Sequence, residues 1–158
     1  MKTEKQKDCT DIAFNLFNEI CSKFSLSYEQ NKDAPVELCL NIPKQKGLEF
    51  NITLMLQNQD ELWLTTDGFT MSVFPCYKTK VLEEFKNNTI NLLTGKARIV
   101  KFLSKNNQII KSELQTFDGN DWKYTSLYGR NILGMIIAKI FPSTAKKQIL
   151  QNTPYLIL

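Results

Sequence analysis

The sequence predicts an α+β fold, a mostly antiparallel sheet of about six to seven strands with two amphipathic helices and a C-terminal apolar helix or strand. Three observations predict it. Apolar residues recur at helical spacing in two segments, they alternate with polar ones at a period of two elsewhere, and turn residues keep the connections short. Short connections favour neighbouring strands in one antiparallel sheet with the helices on one face. At 158 residues, one domain spanning 1–158 is expected, long enough to bury about 70% of its unfolded surface.

The first element is "DIAFNLFNEICSKF", where Ala13, Leu16, Phe17, Ile20 and Phe24 share a face and Asn15, Asn18, Glu19 and Lys23 take the rest. Thr10 or Asp8 caps its start. From Val36 the period changes to two: Val36, Leu38, Leu40 and Ile42 alternate with Glu37, Cys39 and Asn41. After a break at Pro43, Lys44 and Gly47, alternation resumes with Leu48, Phe50, Ile52, Leu54 and Leu56. One face stays polar, as in a half-buried antiparallel sheet. Asn58 to Asp60 turns into "ELWLTT", and Asp67-Gly68 is a two-residue hairpin signal leading to "FTMSVF". Pro75 ends that run.

A second helix is expected in "TKVLEEFKNNTINLLTG", with Thr79 as N-cap, Glu83 and Glu84 near the positive end of the dipole, and Gly95 at the C′ position. Strands resume in "ARIVKFL", "QIIKSELQTF" and "DWKYTSLY", with turns at Lys105-Asn106-Asn107 and Asp118-Gly119-Asn120. The next stretch, "ILGMIIAKIF" from Ile132 to Phe141, has one charge in ten residues. As a helix it is about 15 Å long, half the roughly 30 Å hydrocarbon core of a bilayer, so it cannot span one. It reads as a buried helix or strand, with a partner surface as the alternative. The closing "PYLIL" is either a last edge strand or a segment offered to a partner.

Composition removes whole classes of activity. There is no histidine, so a Ser-His-Asp or Cys-His nucleophile system has no base, and histidine-containing metal sites are excluded. Catalysis would fall to carboxylates, lysine or tyrosine. Cys9, Cys21, Cys39 and Cys76 make no C-x-x-C pair. Four free structural thiols and no metal or other cofactor are expected. "MKTEKQKDCTD" has no apolar region behind it, which points to a cytoplasmic location. Abundant Lys, Asn and Ile beside only two Arg suggest an AT-rich bacterial genome. Charge is lopsided, with net −1 over residues 1–35, −3 over 36–77 and +8 over 78–158. The basic half suits an acidic protein, nucleic acid or anionic lipid.

Several motifs have plainer readings. "LLTGKAR" lacks the glycine five residues before Gly95 and the Ser or Thr after Lys96 that a phosphate loop needs, and helix capping accounts for Gly95. Asp118 and Asp121 flank Gly119-Asn120 and read as a turn. Trp63, Trp122 and Tyr124, interleaved with Lys101, Arg98 and Lys123, faintly suggest base stacking. Cross-strand aromatic pairing is the plainer account, and with two Arg and no RNP or KH pattern nucleic acid is disfavoured.

The succession "ELWL", "FTMSVFPC", "LLTGKARIV", "SELQTFDGNDWK" resembles a family of small uncharacterised bacterial proteins. The matching residues are Phe74, Pro75, Cys76, Leu93, Gly95, Arg98, Ile99, Glu113, Leu114, Gln115, Gly119 and Trp122, within roughly residues 61–123. The chain departs from that pattern at Met71-Ser72-Val73. The resemblance implies a shared fold and brings no activity. Arg98 is expected to pair with Glu113 across the sheet, or else to present its guanidinium to a ligand carboxylate or phosphate.

A non-catalytic protein-binding role follows, of the toxin-immunity or escort kind. A small-molecule or lipid carrier and a histidine-independent enzyme are the alternatives. Candidate partner-binding residues are Trp63, Arg98, Trp122, Lys123, Tyr124, Arg130, Lys146 and Lys147. The expected partner is a protein, with an acidic one suggested by the basic second half; no transmembrane segment is expected.

Overall fold

The computed structural model describes residues 8–129 and 146–153. Helix α1 (Thr10–Lys23) is followed by strands β1 (Glu29–Gln30), β2 (Leu38–Ile42), β3 (Ile52–Gln57), β4 (Glu61–Thr66) and β5 (Phe69–Val73). Helix α2 (Thr79–Leu93) then leads to β6 (Ala97–Leu103), β7 (Ile109–Phe117), β8 (Trp122–Gly129) and β9 (Lys146–Leu150).

The α+β class holds, but the strands form two antiparallel sheets, β1-β2-β3-β4-β5 and β8-β7-β6-β9, and not one sheet of six to seven. The extra strands are β1 and β9. Neither carries an apolar alternation, since both lie largely exposed at sheet edges. Leu48 and Phe50 are buried as expected, yet they sit in a loop closed by a Gln45–Leu48 bridge, and β3 begins only at Ile52. The stretch Ile132–Phe141, Arg130 and the tail Tyr155–Leu158 lie outside the described residues. No helix among the described residues is long and apolar enough to cross a membrane.

Alternation decides which face of the first sheet is buried. Leu40 pairs with Leu54, Leu54 with Leu64, and Leu64 with Met71, which makes one apolar row across four strands. One position along, Cys39, Met55, Trp63 and Ser72 form the equivalent row on the opposite face. The apolar rows join Ala13, Leu16, Phe17 and Ile20 of α1, and Phe85, Leu92 and Leu93 of α2, in one core that also takes in Ala97, Ile99 and Leu114 of the second sheet. Phe17 and Phe85, both fully buried, bring the two helices together with ring centroids 6.1 Å apart.

Helix ends are set locally. For α1 the N-cap is Cys9 and not Thr10 or Asp8, and it carries no side-chain cap bond. The Asp8 carboxylate, one residue earlier, accepts hydrogen bonds from the Thr10 backbone N–H (2.9 Å) and hydroxyl (2.7 Å), which holds its pKa below the ordinary value. For α2 the N-cap is Lys78 and not Thr79, and Glu83 and Glu84 fall beyond the first turn. Gly95, at φ +71°, follows the C-cap Thr94 as expected. The carbonyl of Leu92, which takes the Gly95 N–H at 3.4 Å, also accepts from the Asn152 amide at 3.0 Å, while the Asn152 oxygen accepts from the Glu49 N–H at 2.8 Å. This side chain, only 2% exposed, ties the end of the second sheet to α2 and to the loop before β3. Replacing Asn152 with Ala strands the Glu49 N–H and leaves the Leu92 carbonyl with only the Gly95 N–H, and is expected to cost about 1–3 kcal/mol. Chemical denaturation at unchanged m-value measures it, and a midpoint equal to wild type would remove Asn152 from the fold's support.

The two sheets meet at the β4–β5 hairpin. The Ser112 hydroxyl of β7 donates to the Gly68 carbonyl at 2.6 Å. Gly68 has φ +88°, a conformation that favours glycine, and a Cβ there would have to displace the end of the Ile109 side chain. Lys101, 6% exposed, lies against this hairpin; burial lowers its pKa and the charge of Asp67 partly offsets that.

Two of the four cysteines depart from expectation. Cys9 and Cys76, 67 residues apart, are joined as a disulfide. Their backbone N–H groups donate to adjacent carbonyls of the β3–β4 turn, Cys9 to Gln59 and Cys76 to Asp60. One turn thus holds the start of α1 and the Phe74-Pro75-Cys76 corner side by side, a proximity that linear spacing does not reveal. Cys21 and Cys39 are free and buried as expected, and burial pushes the Cys21 thiol up to about 11.

Candidate functional site: the outer face of the second sheet

Strand alternation in the second sheet points Ala97, Ile99, Lys101 and Leu103 of β6 inward and leaves Arg98 and Phe102 half-buried on the outer face. In β7, Ser112 and Leu114 are buried, while Lys111, Glu113, Gln115 and Phe117 are not. Register then places Phe102 opposite Lys111 and Lys147, and Arg98 opposite Gln115, which itself faces Tyr124. Phe117 lies opposite Trp122 with ring centroids 5.3 Å apart.

These side chains form one connected run across the sheet. The Arg98 guanidinium stacks on the Trp122 ring, 4.1 Å from its centroid, and donates from Nε (3.0 Å) and Nη2 (2.9 Å) to the Gln115 side-chain oxygen. Gln115 Nε2 donates to Glu113 at 3.2 Å, and Glu113 accepts from Lys111 at 2.7 Å. Lys111 and Lys147 both lie over the Phe102 ring, at 4.2 and 5.5 Å from its centroid. Tyr124, Phe117 and Ile149 are 58%, 43% and 51% exposed. Isolated exposed apolar residues are ordinary; three on one face, among stacked cations, make a surface suited to contact.

Of the residues singled out from sequence, Arg98, Trp122, Tyr124 and Lys147 come together here. Lys123 sits at the margin, paired with Asp118, and that ammonium together with the Asp121 and Asn120 backbone N–H groups holds the Asp118 carboxyl at about 2. This is the expected turn chemistry of Asp118. Lys146 lines an open groove with Leu103, Asn107, Ile109, Lys147 and Gln148. Trp63 belongs elsewhere: it lies on the first sheet between Met55 and Ser72, and its indole N–H is buried without a hydrogen-bond partner.

The expected Arg98–Glu113 pair is not formed. Register sets Glu113 opposite Val100, two residues along β6 from Arg98, and Lys111 takes its charge. Gln115 stands between the two as a neutral relay. Phe102 and Lys111 carry no signal of their own in the sequence, and Gln115 stands there only among the residues of the resemblance. The run Lys111, Glu113, Gln115, Phe117 carries a readable signal, four alternate positions without an aliphatic residue, in a strand whose intervening Ser112 and Leu114 are buried.

No family model, curated protein or solved structure matches the chain.

Proposed function

We propose that the protein is a non-catalytic binding protein that docks an acidic protein on the outer face of its second sheet, in an escort or toxin-immunity role. The observation that carries this reading is the connected run Trp122–Arg98–Gln115–Glu113–Lys111–Phe102–Lys147, with three cations presented on aromatic rings. Aromatic residues and Arg are the types that dominate protein interfaces, and a cation laid on a ring loses less freedom on contact. The surrounding chain supports it, since residues 78–158 carry net +8. The lack of histidine leaves acid–base chemistry to side chains that are here engaged with one another.

The test is co-purification from the native host with wild type and with the double variant Lys111→Glu/Lys147→Glu. An acidic protein retained at low ionic strength by wild type, and lost both from the variant and at raised ionic strength, is the expected result. Equal retention by both forms would overturn the assignment to this face. Retention of nucleic acid or a lipid in place of protein would overturn the partner class.

A further inference from the structure

Resting on that docking reading, we infer that Arg98, laid on Trp122 and held by Gln115, is a preorganised receptor for a single carboxylate, the Asp or Glu side chain at the centre of the partner's acidic surface. A half-buried guanidinium ordinarily finds a carboxylate, and Glu113 lies on the same face of the sheet. Yet among the described residues Arg98 makes no ion pair, and both of its donated hydrogen bonds go to one neutral oxygen.

The direction of the Gln115 amide is fixed independently. Its Nε2 donates to Glu113, so its oxygen must face Arg98. Glu113 is in turn engaged by Lys111. The guanidinium is therefore gripped along its Nε/Nη2 side by an acceptor that leaves its positive charge intact. Both Nη1 protons and the second Nη2 proton remain, a planar fork that matches the two oxygens of a carboxylate. Trp122 beneath fixes the plane, so little rotamer freedom remains to be lost on binding. Exposed Tyr124, opposite Gln115, and Phe117, packed on Trp122, flank the fork with apolar surface that would exclude water from the pair.

A hexaglutamate peptide is the probe, followed by the NMR signals of Arg98 Nε–H and the indole N–H groups of Trp122 and Trp63. Saturable shifts at Arg98 and Trp122, with Trp63 on the other sheet unmoved, are expected. Arg98→Lys keeps the charge and loses the fork, and is expected to weaken peptide binding at least about tenfold. Trp122→Leu removes the shelf and should weaken it comparably, which guards against a folding defect in either variant alone. Undiminished binding by Arg98→Lys, with loss in Lys111→Glu/Lys147→Glu, would overturn the receptor and leave the docking face standing. Absence of any shift in wild type, together with equal co-purification by wild type and the double variant, would overturn both. Tighter binding of a single-stranded oligothymidylate than of the peptide, equally sensitive to Arg98→Lys, would make the recognised anion a phosphate and overturn the carboxylate assignment.

Discussion

Replacing Phe85 with Ala is expected to destabilise the protein by about 3–5 kcal/mol, which in a chain of this size lowers the melting temperature by on the order of 10 °C. Phe85 is fully buried, meets Phe17 across the helix pair, and lies in the core shared by both sheets. The vacated space cannot easily close. Phe85 shares the core with the Leu40–Leu54–Leu64–Met71 row, whose positions the strand hydrogen bonds fix. Phe74 supplies the control. It is 69% exposed, and Phe74→Ala should change stability by no more than about 0.5 kcal/mol. Equilibrium denaturation of the two variants decides the matter. Similar midpoints for both would show that the helix pair does not share the core of the first sheet.

Reduction of the Cys9–Cys76 bond, or the double substitution Cys9→Ser/Cys76→Ser, is expected to have an effect of similar size. The bond closes a loop of 67 residues that contains α1 and the whole first sheet. In the chain-entropy account a closure of that length is worth about 4 kcal/mol, because the cross-linked unfolded chain has fewer conformations to lose. Intact mass under non-reducing conditions should be two hydrogens below that of the reduced chain, and reductant should lower the melting temperature. Two reactive thiols should then appear in denaturant before reduction, from Cys21 and Cys39, and four after it. Four free thiols in protein isolated without reductant, and a melting temperature indifferent to reductant, would refute the bond. The expectation of a cytoplasmic location meets a physical counterweight here, since structural disulfides persist mainly where the surroundings are oxidising.

The local elements were largely legible in the sequence. The spacing of Ala13, Leu16, Phe17 and Ile20 marks α1 and the face it buries. Gly95 marks the end of α2, and Asp67-Gly68 marks a hairpin whose Thr66 and Phe69 do pair. Alternation assigned Leu38, Leu40, Leu54 and Leu56 to the core, and all four are buried. These features are decided within a few residues, by which side chains can leave water together at a period of 3.6 or two and by which residues accept a turn's dihedral angles.

The candidate site was legible in residue type and not in arrangement. Arg98, Trp122, Tyr124 and Lys147 carried a signal as cations and aromatics, but Trp63 carried the same signal and lies on the other sheet. Composition cannot tell two faces apart. What separates them is strand order: β6 starts a second sheet after α2 and does not extend the first, a choice made by packing between distant segments.

Sequence by itself therefore determined the α+β class, the two helices, most strands and the inward-facing leucines, because each rests on short-range periodicity. Tertiary structure alone decided the division into two sheets, the recruitment of Lys146–Leu150 as a strand beside β6, and the meeting of Cys9 with Cys76 on one turn. It also decided that Arg98 faces Gln115 and not Glu113. Pairing register is a cooperative property of whole strands, and a shift of two residues preserves every alternation while exchanging every partner.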